Sequence, residues 1–152
     1  MGATQLGRGT WQWRFTVLCL LQVVAFVPGC KRTSRPNGVI TSPGVYKSPD
    51  AKHALAVQLT PNKTVGYVAT DAASGKKSFR GDAGSTYQRW FFFWEPNGTL
   101  WVHSSDIGGC AWTLEGGTWT QHPLIKDGPL VARMPAEVRE SLPPTLRKEM
   151  GL

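Results

Sequence analysis

Residues 89–105, RWFFFWEPNGTLWVHSS, place five aromatic side chains in succession from Trp90 to Trp94, turn at Pro96-Asn97-Gly98 and return through Leu100, Trp101, Val102 and His103. Proline, asparagine and glycine between two apolar runs read as a hairpin loop. With those three residues as the loop, Glu95 faces Thr99, and the pairing continues as Trp94 with Leu100, Phe93 with Trp101, Phe92 with Val102 and Phe91 with His103. Side chains of a strand alternate between its faces, so Trp90, Phe92, Trp94, Leu100 and Val102 share one face while Phe91, Phe93, Trp101 and His103 share the other. Both faces are apolar, which places this strand pair in the middle of a fold with something packed on each side.

The flanking sequence repeats the pattern of short apolar runs between turns. Residues 51–59 (AKHALAVQL) and 64–70 (TVGYVAT) are joined by Pro61-Asn62-Lys63, and 111–115 (AWTLE) and 118–122 (TWTQH) by Gly116-Gly117. With no long helical period between them, these runs predict a mainly β fold: a small antiparallel meander or sandwich of about six to eight strands covering residues 50–134. Residues 135–152 differ. Pro135 suits a first helical position, Glu137 and Glu140 lie in the opening turns, and Val138, Leu142 and Leu146 recur at helical spacing before and after Pro143-Pro144. That stripe is the available cover for Phe91, Phe93 and Trp101, so the segment is expected to fold back on them as a short C-terminal helical element.

Two turns are related. Ser48-Pro49-Asp50-Ala51 and Glu95-Pro96-Asn97-Gly98 lie forty-seven residues apart, each ahead of an apolar strand. They are similar to the proline-aspartate-glycine turn that opens each blade of Tol-Pal-type β-propellers, with Ala51 standing where that pattern has glycine. About 100 residues would supply two such blades, and a closed propeller needs at least four, so the resemblance implies an open meander or sandwich.

The first 29 residues read as a signal peptide. Arg8 and Arg14 precede an apolar run of thirteen residues, Phe15 to Val27, which is too short for a bilayer span of about 20. The run ends in VPGC. Val27, Gly29 and Cys30 resemble the lipobox of bacterial lipoproteins, with Pro28 departing from it, and the resemblance implies that Cys30 is lipidated and becomes the first residue of the mature chain. Residues 30–49 are rich in proline, glycine, serine and bases and read as a flexible tether. Of the three cysteines, Cys19 lies in the leader and Cys30 takes the lipid, which leaves Cys110 as a lone buried small hydrophobe. An unlipidated Cys30 would instead be free to bridge to Cys110.

The formal charge of +7 is unevenly placed. Arg8 and Arg14 leave with the leader, Lys31, Arg32, Arg35 and Lys47 sit in the tether with no acid beside them, and from Ser48 onward eleven bases face ten acids. A basic segment beside a lipid suits anionic headgroups, at about 1 kcal/mol per charge close to the surface. The body itself lacks the basic patch interleaved with aromatics that nucleic-acid binding needs.

Candidate chemistry is sparse. His103, Ser105 and Asp106 are hydrolase residue types, yet on one regular strand Asp106 points away from the other two, and a triad needs the histidine bonded to both partners. Gly108-Gly109-Cys110-Ala111-Trp112 faintly resembles the cysteine signature of papain-like proteases, but Ala111 separates cysteine from tryptophan and the sequence after it reads as strand. His53, His103 and His122 are scattered, so no metal site or cofactor is implied. Asn62 and Asn97 begin glycosylation sequons, relevant only to a eukaryotic secretory chain. Five of the seven tryptophans lie between 90 and 119, and a face formed by Phe91, Phe93, Trp101 and His103 could act as an aromatic binding platform for a glycan or a protein. The expected function is a non-enzymatic lipoprotein of the cell envelope facing the periplasm or exterior, with a binding or structural β domain. The alternatives are that platform and a hydrolase of an envelope polymer using His103.

Overall fold

The structure, a computed structural model, describes residues 38–152; the leader, Cys30 and the basic residues Lys31, Arg32 and Arg35 lie outside the described residues. The described residues form eight strands: β1 (Gly44–Lys47), β2 (His53–Leu59), β3 (Thr64–Asp71), β4 (Lys77–Ser85), β5 (Trp90–Trp94), β6 (Leu100–Ser104), β7 (Gly108–Glu115) and β8 (Thr118–Pro123). Three short helices follow: α1 (Pro129–Ala132), α2 (Ala136–Ser141) and α3 (Pro144–Glu149). The strands make two four-stranded antiparallel meanders, β1-β2-β3-β4 and β5-β6-β7-β8. The mainly β architecture with helices at the C-terminus is therefore the one read from the turns and alternation. Among the described residues no helix is long and apolar enough to cross a membrane.

Burial shows three layers. In β3, Val65, Tyr67 and Ala69 are buried and alternate with half-buried neighbours, the pattern of a sheet packed on one face. All five residues of β6 and four of the five in β5 are buried, so the second sheet is the middle layer. Between the sheets lies a core of Leu55, Val57, Val65, Tyr67 and Phe79 against Phe92, Trp94, Leu100, Val102 and Cys110. On the other side of the second sheet, Phe91, Phe93 and Trp101 pack with Val39, Leu130, Met134, Val138 and Leu142. The β5–β6 register is Trp94↔Leu100, Phe93↔Trp101, Phe92↔Val102 and Phe91↔His103, as the turn dictates.

The expected tether ends earlier than residue 49. Ile40 pairs with Phe92 through two backbone bonds of 2.7 and 2.9 Å, Val39 and Ile40 are 4% and 5% exposed, and β1 is the first strand of its sheet. Proline and glycine at 36, 38, 43 and 44 mask these short pieces, which have too few apolar residues to show a period. Strand β4 was likewise hidden: only Phe79, Ala83 and Gly84 of its nine residues are buried. Its Gly81 is a steric requirement, because a Cβ there would collide with the Tyr67 ring and hydroxyl from the neighbouring strand.

The two related turns have matching local bonds. Ala51 N–H donates to the Ser48 carbonyl and Gly98 N–H to the Glu95 carbonyl, both at 2.9 Å. Asp50 Oδ1 accepts from Lys52 N–H and Asn97 Oδ1 from Thr99 N–H. Gly98 has φ 90 and Ala51 has φ 58, so the alanine occupies a left-handed conformation that glycine adopts without steric cost.

Candidate functional site

The strand pair β5–β6 does bring Phe91, Phe93, Trp101 and His103 to one face, and that face is an internal layer. The four are 1%, 7%, 3% and 2% exposed; Phe91, Phe93 and Trp101 pack with Leu130 of α1, Val138 of α2 and the adjoining Met134 and Leu142, and His103 shares a cavity with Pro143 and α3. Their observed role is packing, because the Val138 and Leu142 stripe lies where a ligand would have to stack. Trp101 Nε1–H donates to Glu95 Oε2 at 3.0 Å, which satisfies its one polar atom.

His103 lies against Phe91 with ring centroids 5.0 Å apart, and neither of its ring nitrogens has a partner among the described residues. Burial, helped by the positive charge of Arg89, lowers its pKa to about 4, so the ring is neutral at pH 7. Asp106 is turned toward the first sheet, where Oδ2 accepts from Ser85 N–H at 2.9 Å, and Ser105 is exposed. The structure thus brings His103 close to neither a bonded serine nor a bonded acid. His103, Ser104 and Ser105 line one cavity of about 290 Å³ with Pro143, Leu146 and Glu149, without a hydrogen bond from the imidazole to any of them.

Cys110 is a buried thiol in the inter-sheet core with no disulfide partner among the described residues; it accepts from Gln121 Nε2–H at 3.2 Å, and burial pushes its pKa up. The lone-hydrophobe reading fits this position. Its sequence neighbours continue as β7 with no helix behind the cysteine. Among the described residues no group of three or more His, Cys, Asp or Glu side chains could hold a metal ion.

The polar groups converge elsewhere. In two meanders packed face to face, the β1–β2, β3–β4, β5–β6 and β7–β8 turns fall at one end, and a cleft opens between them. One lobe, of about 480 Å³, is walled by Asp50, Lys52, Asn97, Glu115 and Arg133; the other, of about 430 Å³, by Asp71, Lys76, Lys77 and Thr118. His53, Leu114 and Trp119 belong to both lobes and form the ridge between them. His53 meets Trp119 edge-on at 5.1 Å and stacks over Trp94 at 6.3 Å. His53 Nδ1 and Trp94 Nε1 are buried here without partners among the described residues. Such atoms are uncommon in folded proteins and call for a water, an ion or a ligand.

No protein-family model matches the chain. Neither characterised proteins nor solved structures give a match.

What the loop end can do follows from its side chains. The three carboxylates are held by internal bonds: Asp50 by Ser48 Oγ–H and Lys52 N–H, Asp71 by Ser74 N–H and Oγ–H, and Glu115 by Thr113 Oγ1–H and His122. Those bonds hold all three below the usual carboxylate range. Lys76, Lys77 and Arg133 make no side-chain hydrogen bond or ion pair with described residues, so they are the cations open to a ligand. Sequence reasoning missed the cleft because its residues come from four separate turns and from Arg133, just past the end of α1. The one usable signal was the pair of equivalent turns at Asp50 and Asn97, which end up at the same end of the sandwich.

Proposed function

We propose that the chain is a lipoprotein of the bacterial cell envelope, anchored through Cys30, whose β domain is a non-enzymatic binding module held close to the membrane. The observation that carries this reading is the spacing between VPGC and the first core residues. Only residues 31–37 separate Cys30 from Gly38, and Val39 and Ile40 are packed into the body. Seven residues span at most about 25 Å when extended, so a lipid on Cys30 keeps the domain at the surface. Lys31, Arg32 and Arg35 fall within that link and would lie against anionic headgroups.

Mass spectrometry of the protein purified from membranes tests the anchor. The expected N-terminus is an acylated Cys30, and Cys30→Ala is expected to move the protein out of the membrane fraction. An unmodified N-terminus beyond Cys30, or a Cys30→Ala variant that fractionates like wild type, refutes it.

A further inference from the structure

We infer that the cleft at the loop end binds an acidic glycan, with Trp119 as the ring on which a sugar stacks and Lys76, Lys77 and Arg133 as the cations that seat its carboxylates. The inference deepens the binding-module part of the proposed function and does not depend on lipidation of Cys30. Three observations carry it. First, the two lobes, about 480 and 430 Å³, meet at His53, Leu114 and Trp119; Trp119 is half-buried against Phe79 and His53, and the ridge is flanked on both sides by polar groups. A sugar ring presents the complementary surface, an apolar C–H face bordered by hydroxyls, and an aromatic ring with a polar surround accommodates both.

Second, the charges are unequal in availability. Asp50, Asp71 and Glu115 are occupied by hydrogen bonds within their own turns, whereas Lys76 and Lys77 on one side of Trp119 and Arg133 on the other have no partner among the described residues. A chain of sugars lying across the ridge would meet a cation in each lobe. Third, His53 lines both lobes beside Trp119, and its Nδ1 has no hydrogen-bond partner among the described residues, which leaves a polar need unmet at the ridge. The turns carrying these groups are pinned by their own side-chain bonds, so little order has to be created on binding.

The competing occupant is the anionic membrane, close to which a lipid on Cys30 would hold the domain. The carboxylates of Asp50, Asp71 and Glu115 stand in the same cleft as the cations, and a flat negative surface would meet both signs. Separate carboxylates spaced among hydroxyls can reach the cations and avoid the acids, which favours the glycan.

The test uses full-length protein in detergent, titrated calorimetrically with an N-acetylglucosamine–N-acetylmuramic acid tetrasaccharide, with uncharged chitotetraose and with phosphatidylglycerol vesicles. Saturable binding of the acidic tetrasaccharide is expected, at least five-fold tighter than chitotetraose. Lys76→Gln with Lys77→Gln, and separately Arg133→Gln, are expected to weaken it at least three-fold each and to reduce the preference over chitotetraose; all three residues are exposed, so these variants keep the fold. Trp119→Ala is expected to weaken both sugars at least ten-fold. Absence of saturable binding, equal affinity for the uncharged oligomer, or lysine and arginine variants indistinguishable from wild type would each overturn the assignment. Vesicle binding lost in those variants without any glycan binding would make the loop end a membrane contact. Failure of the anchor is read independently, from the fractionation of Cys30→Ala.

Discussion

His103 is a histidine 2% exposed with both ring nitrogens unpartnered, so the fold holds it as a neutral ring among Phe91 and the helices. Burial and Arg89 lower its pKa from the ordinary 6.5 to about 4. A folded-state pKa below the unfolded one means that the unfolded chain takes up the proton first as pH falls. Stability is therefore full above pH 6.5, declines between 6.5 and 4, and loses no more to this group below that; the full loss is about 3 kcal/mol. Replacing His103 with leucine removes both the orphan nitrogens and the titration. The stability difference between His103→Leu and wild type, from urea midpoints at pH 7, 5.5 and 4, is expected to move in favour of the variant by that amount. A difference independent of pH would show that the ring finds a partner the protonated form can use. The sequence placed His103 on the face with Phe91 and offered the C-terminal stripe as its cover; what it did not show is that the closed face leaves both ring nitrogens without a partner among the described residues.

The hairpin β5–β6 and the helices α2 and α3 were the most legible elements. The loop at Pro96-Asn97-Gly98 sets the register, and register decides which side chains share a face. The Val138, Leu142 and Leu146 stripe then names its own partner, and the structure places Val138 and Leu142, 2% and 1% exposed, in the layer with Phe91, Phe93 and Trp101. Six-residue helices have no stability of their own in water, so packing on this sheet is what holds them. Truncation after Met134 is expected to expose the aromatic face: more binding of a hydrophobic dye, self-association by sedimentation, and a lower melting temperature. Leu142→Ala in the full chain is expected to cost about 2–5 kcal/mol. A truncated domain that stays monomeric and melts unchanged would mean that the helices are not the cover. Strands β1 and β4 were illegible for the opposite reason, since partners in space rather than any internal pattern hold their few apolar side chains.

Across the molecule, the two sheets are joined by specific contacts as well as by burial. Phe79 of the first sheet stacks on Trp112 of the second at 4.2 Å with rings 13° from parallel, and Trp112 Nε1–H donates to the Tyr67 hydroxyl at 3.1 Å. Burial raises the Tyr67 pKa to about 12, so it remains a neutral hydroxyl. Removing one partner of a buried hydrogen bond costs more than removing both. Trp112→Phe and Tyr67→Phe are each expected to lower stability by about 1–2 kcal/mol, and the double variant by clearly less than their sum. Strict additivity in urea unfolding would show that the bond does not couple the sheets. Turn chemistry and strand alternation are local properties of the chain, and they were enough to specify a β body, the pairing of its central hairpin, its two-sided aromatic layer and the helical cover. Pairing β1 and β4 into the first sheet, packing one sheet on the other and bringing Asp50, His53, Lys76, Trp119 and Arg133 to one cleft depend on contacts between residues far apart in sequence. Those contacts leave no period in the chain, and only the packing of one sheet against the other creates them.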